Sequence, residues 1–258
     1  MKRSNLWKCA LKRCLMLMLT LALLAGAALG EPVRGDLTER FASIPRLEYE
    51  GETYYLRERV STVMLAGILP DEEDGELRTD FVALIAIDDN EKRITPIYID
   101  GQTITEVEGE SVPLREVYAL GEEPKENCLR MVDAVNGILG SELIEDYMAV
   151  DLDSITALPE FSSLEGDTRQ RLHMLRVILE AIPSKQLNEM YGTLSAYLVT
   201  DMKSGAVMRV IDKADRYEIA EKVDLPVLPT EEEGAPLMPD AEQILEFVVG
   251  VFYKTELY

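Results

Sequence analysis

The stretch that decides the fold is VSTVMLAGIL, residues 60–69, an almost unbroken apolar run that ends at Pro70. A strand with one face in water alternates apolar and polar residues, whereas this run has apolar side chains on both faces. Strands of that kind lie inside a sheet that other layers cover. The run therefore predicts a buried central strand.

Sequence on both sides of this run predicts further strands. Residues 47–56, with Glu50-Gly51-Glu52 at their centre, are typical of a short β-hairpin. The acidic stretch 71–76 predicts a loop, and Asp88-Asp89-Asn90 has turn chemistry. The remaining predicted strands cover residues 81–87, 93–99, 147–152, 196–199 and 217–223.

Four segments have the spacing of amphipathic helices, with apolar residues every three to four positions. Gly140 stops the first helix, and Asp167 is a good N-cap for the second, which Pro183 breaks. The apolar faces are Cys128, Met131 or Val132, Val135, and Ile138 or Leu139; Leu172, Leu175, Leu179 and Ile182; Val207, Val210, Ile211 and Ala214; and Ile244, Leu245, Val248, Val249 and Phe252. The alternation of strands and helices predicts the α/β class, as a three-layer α/β/α sandwich with a mixed central sheet.

The first 30 residues have the order of a secretion signal or a membrane anchor. Five basic residues, at positions 2, 3, 8, 12 and 13, precede an uncharged apolar run over residues 14–30. The run lies between a cleaved signal core and a spanning helix of ~20 residues in length, so both outcomes stay open. Because the basic end stays inside the cell, we expect the rest of the chain to be extracytoplasmic, either secreted or anchored by this N-terminal helix.

The predicted domain organisation follows from these segments. Residues 1–30 are the signal peptide or membrane anchor, 31–46 a stalk, 47–225 one α/β domain, 226–239 an acidic Pro-rich linker and 240–258 a C-terminal helix. We expect that helix to dock on the domain through its apolar face. Cys128 is the only cysteine after the leader, so we expect a core without a disulfide.

Composition and motifs exclude several classes of function. The chain has 26 Lys and Arg against 48 Asp and Glu, a net charge of −22 at pH 7, so nucleic acid is a poor partner. There is no Gly-rich phosphate loop and no nucleophile elbow. The single histidine, His173, excludes zinc motifs that need two and is expected on the polar face of its helix.

Eight short segments follow one another in a suggestive order. They are YEGETY (49–54), VMLAGI (63–68), RTD (78–80), KRIT (92–95), VYALG (117–121), YMAVDLD (147–153), GDTRQR (166–171) and FYK (252–254). In this order, behind a basic and apolar leader, the chain resembles the LytR-CpsA-Psr family of bacterial cell-envelope proteins. The resemblance runs from about residue 49 to 158 and again from 166 to the C-terminus.

Members of that family typically have one membrane anchor and transfer a glycopolymer from a polyprenyl pyrophosphate carrier to the cell wall. The resemblance implies the same partners, a polyprenyl-pyrophosphate-linked glycopolymer or peptidoglycan, and the membrane through the N-terminal segment. It also implies Mg²⁺ or Mn²⁺ as a cofactor. Such a site must hold a pyrophosphate, for which arginine forks and a carboxylate-held metal are the natural parts.

The family's functional residues are matched in part. The resemblance gives Asp80 the role of metal ligand and Arg78 that of its substrate-binding neighbour. It gives Arg169 and Arg171 the role of the family's catalytic and substrate-binding arginines.

Two other family positions differ in this sequence. Leu69 stands where the family has an aspartate, and Asp100-Gly101-Gln102 stands where it has Pro-Arg-Asp. With Gly101 there, the pyrophosphate lacks a charge-assisted clamp. Asp80 alone is a poor magnesium site unless Asp71 or Asp74 from the acidic loop joins it. The substitutions therefore predict impaired catalysis.

Three functional hypotheses follow. The first is a family member that is not an effective enzyme and acts in binding or regulation. The second is an active glycopolymer–peptidoglycan phosphotransferase with a rearranged site. The third is an unrelated acidic secreted interaction module that shares only the α/β layout.

Overall fold

The computed structural model describes residues 46–71, 74–156, 197–228 and 235–255. The predictions about the leader and the stalk lie outside this part of the chain, apart from Arg46. So do those about the helix that opens at Asp167, including Arg169, Arg171 and His173. Among the described helices, none is both long and apolar enough to cross a membrane.

The described chain begins with the predicted β-hairpin. Strands β1 (Arg46–Tyr49) and β2 (Glu52–Leu56) pair antiparallel. The two turn residues, Glu50 and Gly51, both have positive φ, at 51° and 80°. Two consecutive left-handed residues match the right-handed twist of hairpin strands, which explains the short turn. The prediction of a hairpin here is confirmed.

The central sheet forms around the apolar run of residues 60–69. Strand β3 (Val60–Pro70) lies between β4 (Leu77–Asp88), which is antiparallel to it, and β8 (Asp146–Asp151), which is parallel. Strand β5 (Arg93–Ile99) pairs with β4, and β9 (Leu198–Thr200) pairs with β8. The predicted mixed α/β class and mixed sheet are confirmed.

Both faces of β3 are buried, as its composition predicts. Met64 and Ala66 belong to a core that includes Cys128, Met131 and Val135 of helix α1 (Pro124–Leu139). Val63 and Leu65, on the opposite face, are also buried. Helix α1 ends at Gly140, whose φ of 66° places it in the left-handed conformation expected of a helix stop.

A short helix, α2 (Leu152–Thr156), follows β8, and α3 (Ser204–Arg216) links the two edges of the sheet. Beyond α3, the strand predicted over residues 217–223 consists of two short strands, β10 (Glu218–Ile219) and β11 (Val223–Asp224). Both run parallel to β5, so this segment borders the sheet on the side away from β9. Its prediction as a single strand is wrong, because pairing with β5 is interrupted between them.

Two elements between β5 and α1 were not predicted. Strands β6 (Ile104–Val107) and β7 (Glu110–Pro113) form a hairpin, and a 3₁₀ helix (Leu114–Leu120) follows. The turn residues Glu108 and Gly109 have φ of 55° and 87°. The Glu-Gly pair is the same turn signal that marks the first hairpin, so the sequence did contain it.

The C-terminal helix docks on the domain as predicted. Helix α4 (Ala241–Phe252) begins after Asp240, whose side chain accepts a hydrogen bond from the Gln243 backbone at 3.1 Å. Val248 and Phe252 enter the same core as α1. Strand β12 (Tyr253–Lys254) then pairs with β2, so the end of the chain joins the first hairpin.

The described residues next to the C-terminal helix are also tied to the domain. The Leu228 backbone donates to the Met238 carbonyl at 2.8 Å, and the Leu237 backbone donates to the Gln102 carbonyl at 3.0 Å. Residues 235–239 therefore lie against the loop that follows β5. The domain boundaries themselves stay predictions.

Candidate functional site

The candidate site lies at the loop end of the β3–β4 hairpin, where charged residues follow the apolar residues of β3. Leu69, the residue in place of the family's aspartate, pairs across the hairpin with Arg78. The Arg78 guanidinium lies 2.8 Å from Asp71 and contacts both carboxylate oxygens of Asp74, at 3.0 and 2.7 Å. Its Nε donates to Glu116. The structure thus brings Arg78 together with the two acidic loop residues that the sequence singled out.

A second arginine, which sequence reasoning missed, joins this group. Arg115, in the 3₁₀ helix, donates from its terminal nitrogen to Asp71 at 2.8 Å and lies 3.1 Å from Glu116. Its backbone N–H donates to the Gly101 carbonyl at 2.8 Å. A Cβ added at Gly101 would lie 3.2 Å from the Arg115 Cβ. An arginine therefore stands directly beside the position at which the family has one.

We call the five residues Asp71, Asp74, Arg78, Arg115 and Glu116 the ion-pair cluster. Its two guanidiniums and three carboxylates carry one net negative charge. The hydrogen bonds that Arg78 donates to Asp74 and then to Glu116 raise the pKa of Arg78, and the hydrogen bond from Arg78 lowers the pKa of Asp74. Arg78 and Asp74 therefore stay charged at neutral pH. The guanidiniums of the cluster could bind an anion, but they are already paired with its own carboxylates.

Asp80, the predicted metal ligand, stands apart from this cluster. Gly67 pairs with Phe81 and Ile68 with Thr79, so Asp80 is the extra residue of a β-bulge. Its side chain is exposed and makes no hydrogen bond or ion pair with the described residues.

Asp80 is one of three carboxylates whose charge acts on Tyr98. Burial raises the pKa of Tyr98, and the negative charges of Asp100, Asp80 and Asp224 raise it further, while the Lys222 ammonium lies 5.0 Å from the centre of the ring. In the part of the chain that the structure describes, no three His, Cys, Asp or Glu side chains are placed to hold a metal ion. The divalent metal that the resemblance implies stays a prediction, with Asp80 as its candidate ligand.

The loop Asp100-Gly101-Gln102 is held in place by its own polar groups. Asp100 accepts a hydrogen bond from the Gln102 backbone at 2.8 Å, and the Thr103 backbone donates to the Asp100 carbonyl at 3.0 Å. Gln102 in turn accepts from Leu237. These contacts fix the loop against Arg115, which gives the ion-pair cluster a rigid wall.

Cys128 is not a candidate nucleophile. Burial raises the pKa of its thiol to about 12, with a smaller contribution from the charge of Asp201. Since the thiolate is the reactive form, a thiol that stays protonated at neutral pH is inert. The core position of Cys128 on α1 is therefore a packing position.

Comparisons with known proteins bear on the fold. No family model and no curated protein matches the sequence. Two matching solved structures are titled transcriptional regulators, EF0465 from Enterococcus faecalis and yvhJ from Bacillus subtilis. Both are 14% identical; they match 75% and 76% of this chain over 87% and 98% of their own, with TM-scores of 0.52 and 0.51. At this identity the shared property is the fold.

A third match is to a solved structure titled B. subtilis TagV. It is 12% identical, covers 76% of this chain and 98% of its own, and has a TM-score of 0.49.

Proposed function

We propose that this chain is an extracytoplasmic cell-envelope protein of the LytR-CpsA-Psr type that binds a polyprenyl-pyrophosphate-linked glycopolymer without transferring it efficiently. One observation carries the proposal: Arg78 and Arg115 converge beside Leu69 and Gly101, yet three carboxylates already engage them. Its role would then be binding or regulation at the outer face of the membrane.

The two arginines support the binding half of the proposal. A guanidinium presents paired N–H donors in a planar fork that matches phosphate oxygens, and it stays charged at any physiological pH. Asp71 contacts both guanidiniums at 2.8 Å, so their terminal nitrogens lie close enough to share one small anion. A pyrophosphate has the charge and the oxygens to take the place of such a carboxylate.

The surrounding carboxylates support the second part of the proposal, that the transfer reaction is impaired. Phosphoryl transfer needs positive charge that is free to stabilise the transition state, and the ion-pair cluster has a net negative charge. Asp80 is exposed and unpaired among the described residues, and Leu69 contributes no ligand. Loss of one electrostatic donor of this kind costs roughly 10²-fold or more in rate.

The proposal is tested with the full chain and lipid vesicles that carry a polyprenyl pyrophosphate. We expect saturable binding that weakens in Arg78→Gln and persists in Arg130→Gln. Arg130 is a matched control, because it is a similarly half-buried arginine of α1 that pairs with Glu108 and Glu126. Equal binding by both variants would remove Arg78 from the site, and an absence of any binding favours the unrelated interaction module.

The second candidate function is an active transferase with a rearranged site. The position of Arg115 beside Gly101 favours it, because a guanidinium from another element then stands at the place of the missing arginine. Transfer of a labelled glycan from a polyprenyl pyrophosphate donor, with Mg²⁺ or Mn²⁺ present, separates the two. Metal-dependent turnover that Asp80→Ala abolishes would establish the enzyme and overturn impairment.

A further inference from the structure

We propose that Asp74 is an internal competitor for the anion site: its carboxylate occupies the fork of Arg78, and an anionic ligand binds by displacing it. This inference rests on the proposed function, since it concerns the same arginines. It adds a regulatory contact that sets which anions bind and how tightly.

The contact between Asp74 and Arg78 has the geometry of ligand recognition. Two parallel bonds join the terminal nitrogens of Arg78 to the two oxygens of Asp74, at 3.0 and 2.7 Å. Such a fork-to-fork pair is the arrangement in which arginine binds a carboxylate or phosphate group. Asp74 therefore occupies the donors that a phosphate would use.

Asp74 is also the carboxylate of the cluster that is easiest to displace. Its side chain is 45% exposed, against 17% for Asp71 and 31% for Glu116. Asp74 pairs with Arg78 and accepts a hydrogen bond from the Glu76 backbone N–H at 2.9 Å, whereas Asp71 and Glu116 each lie within ion-pair distance of both arginines. When Asp74 moves into water, the other two carboxylates still hold the arginines in place.

The charge of a ligand determines whether it can displace Asp74. With Asp74 in place the cluster is net negative, so an approaching anion meets repulsion as well as an occupied fork. A singly charged anion replaces Asp74 with no gain in charge. A pyrophosphate brings more negative charge and more oxygens to the same donors, so the contact selects for multiply charged phosphates.

The test measures binding of inorganic pyrophosphate to the full chain by calorimetry. We expect Asp74→Asn to bind roughly 3- to 10-fold more tightly than the wild type, since the fork is freed and one negative charge is removed. Asp133→Asn is the control for net charge, because Asp133 is exposed on α1 and pairs with no described residue. We expect this control to bind like the wild type.

The outcomes distinguish a failure of the competitor role of Asp74 from a failure of the anion site itself. If the wild type binds pyrophosphate and Asp74→Asn binds no more tightly than Asp133→Asn, the competitor role is wrong while the site survives. If neither the wild type nor Asp74→Asn binds, or if Arg78→Gln binds as well as the wild type, the anion site is wrong and the competitor role with it.

Discussion

The middle of the β3–β4 hairpin and its loop end differ in what holds their side chains in place. In the middle of the sheet, Met64, Leu84 and their neighbours are buried with no polar partner to satisfy, and hydrophobic burial alone fixes their place. At the loop end, Arg78 is placed by Asp71 and Asp74 of the loop and by Glu116 of the 3₁₀ helix. Burial therefore holds the middle of this hairpin, whereas ion pairs hold the loop end, where we propose that an anion binds.

The largest expected effect is a difference in stability between a substitution at a buried position of β4 and one at an exposed position of the same strand. Leu84→Ala removes a fully buried side chain from the middle of β4 and should lower the free energy of unfolding by about 2–5 kcal/mol. Leu77→Ala, on the same strand but 44% exposed, should change it by less than about 0.5 kcal/mol. Urea denaturation measures both. Equal losses would break the proposed division of the hairpin.

The next effect tests how closely the sheet is packed. A Cβ at Gly67 would lie 2.2 Å from the Phe81 ring and 2.7 Å from Leu152, so Gly67→Ala should destabilise by about 1–3 kcal/mol. Gly137, on the exposed side of α1, has no atom within 4 Å of an added Cβ. Gly137→Ala should therefore stabilise by up to about 1 kcal/mol. Denaturation of both variants under one condition gives the contrast, and opposite signs are required.

A smaller effect follows from the lowered pKa of Asp74 in the ion-pair cluster. A carboxylate whose pKa is lower in the folded state stabilises the protein at pH values above its ordinary pKa, and this contribution is lost as the pH falls through the lowered value. Relative to the wild type, Asp74→Asn should melt at a lower temperature at neutral pH, and the difference should shrink as the pH falls through and below the ordinary pKa range of an aspartate.

That dependence reflects the charges that face Asp74, chiefly Arg78, with Asp71, Glu116 and Arg115 behind it. Thermal melts of the two proteins across this range provide the check. A difference that grows towards acid would mean that folding raises the pKa of Asp74, which would contradict its ion pair with Arg78.

Local patterns made most of the core predictable. The run over residues 60–69 needs no partner to be read as a buried strand, and Glu50-Gly51 encodes its own turn. The strand at residues 93–99 and the stop at Gly140 likewise follow from neighbouring residues. In these places the sequence signal and the structural cause lie within a few positions of each other.

The candidate site was predictable only in part, because its geometry is tertiary. Arg78, Asp71 and Asp74 are close in sequence, so their grouping was within reach. Arg115 comes to Gly101 only through the β6–β7 hairpin and the 3₁₀ helix, which have short and charged sequences with weak periodicity. The bulge that isolates Asp80 depends on the pairing of β3 with β4, which no single strand reveals.

The most direct test of the central claim is a double-mutant cycle on Arg78 and Arg115, with binding to polyprenyl pyrophosphate vesicles as the readout. If both guanidiniums hold one ligand, Arg78→Gln and Arg115→Gln should each weaken binding roughly tenfold or more, and the double variant should lose much less than the product of the two. Losses that simply multiply, or variants that bind like the wild type, would contradict a shared anion site in the ion-pair cluster.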